Sequence, residues 1–335
     1  MALAQAIHTR QGTISKYEAG ALGVTREHLA LISRVTKYDR AFFFEDDNPI
    51  ALGGDFLYRR RASLSARERR RVEAEANIRM LQVVRLLRSG HLPEAFPFPA
   101  IPPNEVNGNV ERVAREVRKA LRIPSGPIKN LTRFIESAGA VIFAMDFGTD
   151  LIDGTNIRKP GMPPLLFLNQ NVSGERHRYN LAHELGHVIM HFGAALGDPE
   201  DEADRFAREF LMPQSEIRND LRGLDLVAAA RLKQVWGVSM AALIMRAKDL
   251  RIISASTAGR MFRSMNANGM RSVEPIPLPF EKPELFDRLV QFHKANLGFT
   301  GDDLEKLMFT AQMGEIPVPE WPKLRLVEEP VLFEK

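Results

Sequence analysis

Cysteine is absent from all 335 residues, which rules out disulfides and any thiolate metal site. No apolar run approaches the length a membrane span needs, and the first residues lack the apolar core of a signal peptide. A cytoplasmic chain with no membrane partner is therefore expected. Charge of one sign is also scarce: the net value is only +4, with 44% hydrophobic and 26% charged residues. That balance is ordinary for a globular protein; it permits nucleic-acid binding without demanding it. There is no internal repeat, and the length allows two or three domains, each with its own core.

Histidine is sparse as well, at 8 residues, yet two of them fall in His183-Glu184-Leu185-Gly186-His187. A chance H-E-x-x-H in such a chain is roughly a one-in-a-hundred event. The stretch Tyr179 to His191 reads as helix. Residues four apart share a helical face, so both imidazoles can reach one metal ion, and Glu184 follows the first His closely enough to poise a water for attack. The bland alternative is a helix whose two His flank a solvated Glu.

Context favours the sharper reading. Leu165 to Leu168 is a short apolar run between Pro163-Pro164 and Asn169, expected as a buried strand whose edge can pair with an extended substrate. After Gly197-Asp198-Pro199, the segment Glu200 to Pro213 places Ala203, Phe206, Ala207, Phe210 and Leu211 on one face of a second helix, which Pro213 ends. Two His need a third protein ligand to leave one open position on a catalytic zinc. Glu200 and Glu202 are both candidates on spacing alone.

The strings "RHRYNLAHELGHVIMHF" and "EDEADRFAREFLMP" resemble the ImmA/IrrE family of zinc metallopeptidases, with Tyr179-Asn180 where the family usually has Phe-Thr. The resemblance implies Zn²⁺ held by His183, His187 and Glu200, with Glu184 as general base. Asp204 falls on the Asn/Asp that follows the motif alanine. It lies one turn beyond Glu200, where it can hydrogen-bond the far nitrogen of a ligand His. His191, a turn beyond His187, is expected as a cleft or helix-end residue rather than a fourth ligand. His177 and Tyr179 are possible transition-state donors, and nothing in the sequence selects between them.

At the front, Ala2 to Ile7, Gln11 to Glu18 and Thr25 to Val35 read as three short helices. Gly12, Gly20 and Gly23 punctuate them, and Thr25 is the cap of the third. The string "LAQAIHTRQGTISKYEAGALGVTREHLALISRVTKYDRAFFF" is similar to the lambda-repressor-type (Xre) helix-turn-helix. That match implies a recognition helix over Gln11 to Glu18, with Gln11, Thr13, Ser15 and Lys16 toward DNA and Ile14 toward the core. The family's first helix precedes Leu3-Ala4, so the domain is expected to be truncated here.

Between these motifs, Asp55 to Ser89 carries Arg59-Arg60-Arg61 and Arg67, Arg69, Arg70 and Arg71. Ser63 or Ser65 can cap a helix that places Val72, Ala76, Met80, Val83 and Leu87 on one face. The charge is most simply a solvated face; phosphate contact is the sharper reading. A proline-rich linker runs from His91 to Pro103. Asn104 to Leu121 and Ile128 to Ser137 are expected helices, Gly139 to Ala144 a strand, and Asp150 to Thr155 a turn between strands. Leu221 to Trp236 and Met240 to Leu250, with a turn at Gly237 and a cap at Ser239, form a second helix-turn-helix shape, read as support for the core. Pro317 to Lys335 reads as an ordered or loosely docked tail.

The expected fold class is α+β: mostly helical, with a small mixed sheet carrying a zincin-like metallopeptidase core, preceded by an all-α helix-turn-helix remnant. The expected organisation is residues 1–50 as truncated helix-turn-helix, 51–103 as basic connector and linker, 104–250 as zinc peptidase, and 251–335 as a helical, turn-rich end. The family resemblance implies a zinc-dependent endopeptidase that acts as a transcriptional regulator. Its protein substrate would be a repressor-type DNA-binding protein, cleaved to switch on stress or mobile-element genes. DNA is a further partner through the N-terminal helices. The alternative is a non-enzymatic, antitoxin-like DNA-binding regulator with a structural or sensory metal site.

Overall fold

The structure, a computed structural model, describes residues 2–44, 65–90, 98–149, 151–159, 161–191, 197–271 and 273–309. Arg59-Arg60-Arg61, Ser63, most of the proline-rich linker and the tail from Pro317 to Lys335 lie outside the described residues. The chain divides into two compact units: residues 1–51, 63–93 and 287–335 form one, and 52–62 with 94–286 the other. The main stretch of the second unit, 94–286, is thus inserted in sequence between the last two of the three stretches of the first. Among the described residues no single helix is long and apolar enough to cross a membrane.

The first unit opens with helices α1 (Ala2–Ala6), α2 (Gln11–Glu18) and α3 (Arg26–Thr36), followed by a 3-10 turn at Arg40–Phe44. Leu3, Ala4, Ile7, Ile14, Tyr17 and Ile32 make its small core. Thr25 caps α3 by accepting from the His28 backbone N–H at 3.2 Å. Gly12, expected as a boundary, lies inside α2, whereas Gly20 ends that helix with φ +65°, a conformation glycine adopts without steric cost. Helix α4 (Ala66–Ser89) starts at Ser65, where a reciprocal capping box with Glu68 satisfies two end donors.

The inserted unit begins with a 3-10 turn at Pro103–Val106, α5 (Val110–Ala120) and α6 (Leu131–Ser137). A continuous helix over Asn104 to Leu121 does not form, because Asn107 (φ +55°) and Gly108 (φ +71°) turn left-handed and Asn109 caps a new start. Strands β1 (Val141–Met145), β2 (Gly154–Ile157) and β3 (Leu165–Asn169) make a mixed sheet in the order β1-β3-β2. β3 pairs parallel with β1 and antiparallel with β2. It is therefore central, with no edge left for a substrate, which corrects the expectation for Leu165 to Leu168. A strand with four apolar residues before Asn169, buried throughout, has to be covered on both flanks. Among the described residues the outer strands are β1 and β2, and part of β2 was expected as a turn.

Helices α7 (Gly174–Met190), α8 (Pro199–Leu211), α9 (Gln214–Ile217), α10 (Leu226–Trp236), α11 (Met240–Asp249) and α12 (Ala255–Ala267) complete the inserted unit. α7 begins five residues before the expected Tyr179. Leu181, Leu185 and Val188 from α7 and Phe206 and Phe210 from α8 share one core with Leu166 and Leu168 of β3. α10 starts at Leu226 rather than Leu221, since Asp225 caps it by accepting from the Ala228 N–H at 2.7 Å. Past α12 the chain is strapped back onto the same unit by carboxylates. Glu274 meets the fully buried Lys233 at 3.0 Å, and Glu281 accepts from the Thr132 N–H at 2.9 Å and pairs with Arg178.

Helices α13 (Leu285–Asn296) and α14 (Gly301–Met308) carry the chain back into the first unit. Their residues explain one difference on α4: Leu86 is buried and Leu87 only partly so. Ile78 packs with Tyr38 and Phe309, Gln82 donates to the Met308 carbonyl at 3.1 Å, and His293 Nε2 lies 2.9 Å from the Leu86 carbonyl. The helix thus buries a second flank, which a one-face pattern does not reveal.

Candidate metal centre

Seventeen residues of α7 hold His183, Glu184 and His187 on a rigid, almost wholly buried helix. The close approach of α8 depends on Gly186, because a Cβ there would sit 3.0 Å from Phe206 Cδ1. With that gap closed, the first turn of α8 brings Glu200 over the two imidazoles. His183 Nε2 and His187 Nε2 lie 3.0 Å apart, and the Glu200 carboxylate oxygens are 3.6 and 3.4 Å from them. One ligand atom from each of the three falls within 4.8 Å of the others. Two imidazole nitrogens and one carboxylate are the donor set of an open zinc site.

The far nitrogens are engaged too. Asp204 Oδ1 lies 2.9 Å from His183 Nδ1. His187 Nδ1 lies 2.9 Å from His191 Nδ1, and His191 Nε2 lies 2.9 Å from Glu202 Oε2. Glu202, the rival third ligand on spacing alone, therefore faces His191 and not the metal-capable pair. A helix explains the split: Glu200 and Glu202 are two residues apart and point to different sides of α8.

Burial alone would lower the His183 pKa, but hydrogen bonds with Asp204 and Glu200 outweigh it and lift it to about 9. Burial would likewise raise Glu200, yet its hydrogen bonds to His183 and His187 hold the carboxyl well below the usual range. The cluster thus attracts positive charge strongly, and a divalent cation would compete with the proton for the same nitrogen lone pairs. His191 is pushed down, chiefly by burial.

Glu184 turns toward the sheet, on the neighbouring side of the helix. Its Oε2 accepts from Asn156 Nδ2 at 2.8 Å. Two residues earlier on the same face of β2, Gly154 leaves it room: a Cβ there would come 2.9 Å from Glu184 Cγ and 3.0 Å from Oε1. Asn156 and Gly154 were not singled out from sequence. Only a two-residue alternation inside a four-residue strand marks them, too short a signal to read.

The two suggested transition-state donors have other neighbours. The Tyr179 hydroxyl stands 3.5 Å from Asp204 Oδ1, its pKa pushed up to about 12 by burial and that carboxylate. His177 is fully buried beneath Phe280, with ring centroids 4.2 Å apart. In the first unit, Gln11, Ser15 and Lys16 are exposed on α2, Thr13 is half-buried, and Ile14 faces the core.

A helix-borne His pair, a carboxylate from the next helix and a second carboxylate held against a small mixed sheet define a centre built for metal-assisted hydrolysis. Residues 135–248 match the family model of the IrrE N-terminal-like domain, Peptidase_M78; that family consists of metallopeptidases, and the segment contains every residue of the cluster. Comparison with curated proteins gives no match.

Proposed function

We propose that this chain is a zinc-dependent endopeptidase that regulates transcription by cutting a repressor-type DNA-binding protein, so releasing stress or mobile-element genes. The observation that carries the proposal is the convergence of His183, His187 and Glu200 beside a Glu184 whose partner, Asn156, is neutral. Bound to these three side chains, zinc would supply Lewis acidity toward a water and the scissile carbonyl. Glu184 accepts a proton from the attacking water and returns it to the leaving amine. Asn156 fixes one carboxylate oxygen, and Gly154 keeps space beside the other. β2 is an outer strand of the sheet, and an extended substrate is proposed to lie along it as an added strand.

The regulatory half rests on the likeness of α1–α3 to a repressor-type helix-turn-helix, with Gln11, Thr13, Ser15 and Lys16 proposed to meet DNA. Cytoplasmic placement follows from that role.

The test compares proteins cut in cells that express the wild type or Glu184→Gln, read by mass spectrometry of new termini. The variant should retain zinc and lose cleavage by about 10²–10⁴-fold, and the lost cuts should map to a DNA-binding protein. Identical cut patterns for the two would overturn the peptidase reading and favour a non-enzymatic regulator with a structural or sensory metal.

A further inference from the structure

His191 and Glu202 lie outside the three-residue cluster, yet both nitrogens of His191 are engaged, one by His187 and one by Glu202, each at 2.9 Å. The exposure of the two side chains is only 2% and 17%. A neutral imidazole carries one proton and one lone pair, so the direction of donation along this chain is not arbitrary. If His187 is to offer its Nε2 lone pair to a cation, its proton must sit on Nδ1. His187 Nδ1–H then donates to His191 Nδ1, and the His191 proton must sit on Nε2, where the Glu202 carboxylate accepts it. In the reverse arrangement His191 Nδ1–H donates to His187 Nδ1. His187 would then carry its proton on Nε2 and could not ligate, and the bare His191 Nε2 would face a carboxylate oxygen at 2.9 Å, an acceptor against an acceptor. Glu202 excludes that arrangement.

We propose that Glu202, acting through His191, is a positioning residue that sets the His187 tautomer and thereby the affinity of the centre for zinc. The two imidazoles of the centre are then held differently. Asp204 touches His183 directly at 2.9 Å, while Glu202 reaches His187 through an intervening ring. The same geometry accounts for His191 not being a fourth ligand, since neither of its nitrogens is left to face the cluster.

The inference rests on the metal-centre reading above, and its test separates the two. Zinc affinity of the full chain would be measured by competition with a chromophoric chelator for the wild type, Glu202→Gln, His191→Gln and the double variant. Gln at 202 can present an amide N–H to His191 Nε2 and so permits the reversed tautomer. Gln at 191 can accept the His187 proton through its own carbonyl and no longer needs Glu202. Glu202→Gln is expected to bind zinc about 10–100-fold more weakly, His191→Gln to recover much of the wild-type affinity, and the double variant to match His191→Gln rather than show additive loss. Cobalt substitution supplies a second readout, because ligand-field bands should weaken in Glu202→Gln and return in His191→Gln. Unchanged affinity in Glu202→Gln, or additive losses in the double variant, would overturn the positioning role while leaving the centre intact. A folded wild type that binds no zinc would remove the centre itself and the relay with it.

Discussion

His177 shows how a side chain on α7 can matter without touching the candidate centre. It is fully buried, covered by Phe280, and among the described residues neither ring nitrogen has a hydrogen-bond partner. Burial and the nearby Arg178 charge drive its pKa from 6.5 down to about 4. Between those values the unfolded chain binds a proton that the folded chain refuses, so stability is retained above about pH 6.5 and lost as pH falls toward 4. The full difference is roughly 3 kcal/mol. His177→Phe, which keeps an aromatic partner for Phe280, is expected to flatten that part of the stability–pH curve in urea titrations. A curve with the wild-type slope would mean another group carries the acid sensitivity. Glu184 lies two turns further along the same helix and is held differently, by Asn156 at 2.8 Å.

At the scale of elements, the decisive contact is helix against helix. α7 supplies two imidazoles and α8 the carboxylate, and Gly186 sets how near they come. A branched side chain at 186 has to displace Phe206, whose Cδ1 would lie 3.0 Å from the added Cβ. Gly186→Val is expected to cost about 1–3 kcal/mol by overpacking, and to weaken zinc binding because Glu200 and Asp204 move away with α8. Thermal denaturation with and without zinc would measure both effects. Equal zinc stabilisation in variant and wild type would show that α8 does not need this approach. The sheet contributes through its edge. β2 carries Gly154 and Asn156 to Glu184, while the hydrophobic β3 behind it only supports them.

These elements were legible to different degrees, for physical reasons. The His pair and Glu184 are adjacent in sequence and share a helical face, so spacing alone exposes them. Glu200 and Glu202 are equivalent in spacing, and resemblance to a family was needed to favour Glu200; the packed helices now place it on the imidazoles and Glu202 on His191. β2 was invisible because four residues starting with glycine carry almost no period, and the central position of β3 could not be read because pairing is a tertiary property. The 3-10 break at Asn107-Gly108 was lost inside an otherwise helical pattern, since Asn adopts a left-handed conformation only where packing requires it.

At the scale of the whole molecule, the inserted unit carries every residue proposed for hydrolysis. The first unit takes α1–α4 from before the insertion and, after it, α14 with most of α13. Residues past 250 divide accordingly. Those up to Phe286 belong with the peptidase-like unit, tied there by Glu274 and Glu281, although the family match ends at 248. The central claim is that His183, His187 and Glu200 form one metal centre within this unit. Its most direct test is the zinc content of the purified full chain, Glu200→Ala and Glu202→Ala, each equilibrated with excess zinc and then measured by mass spectrometry of the metal. The account predicts about one zinc per chain in the wild type and in Glu202→Ala, and loss of zinc from Glu200→Ala. Zinc retained in Glu200→Ala and lost only from Glu202→Ala would contradict it.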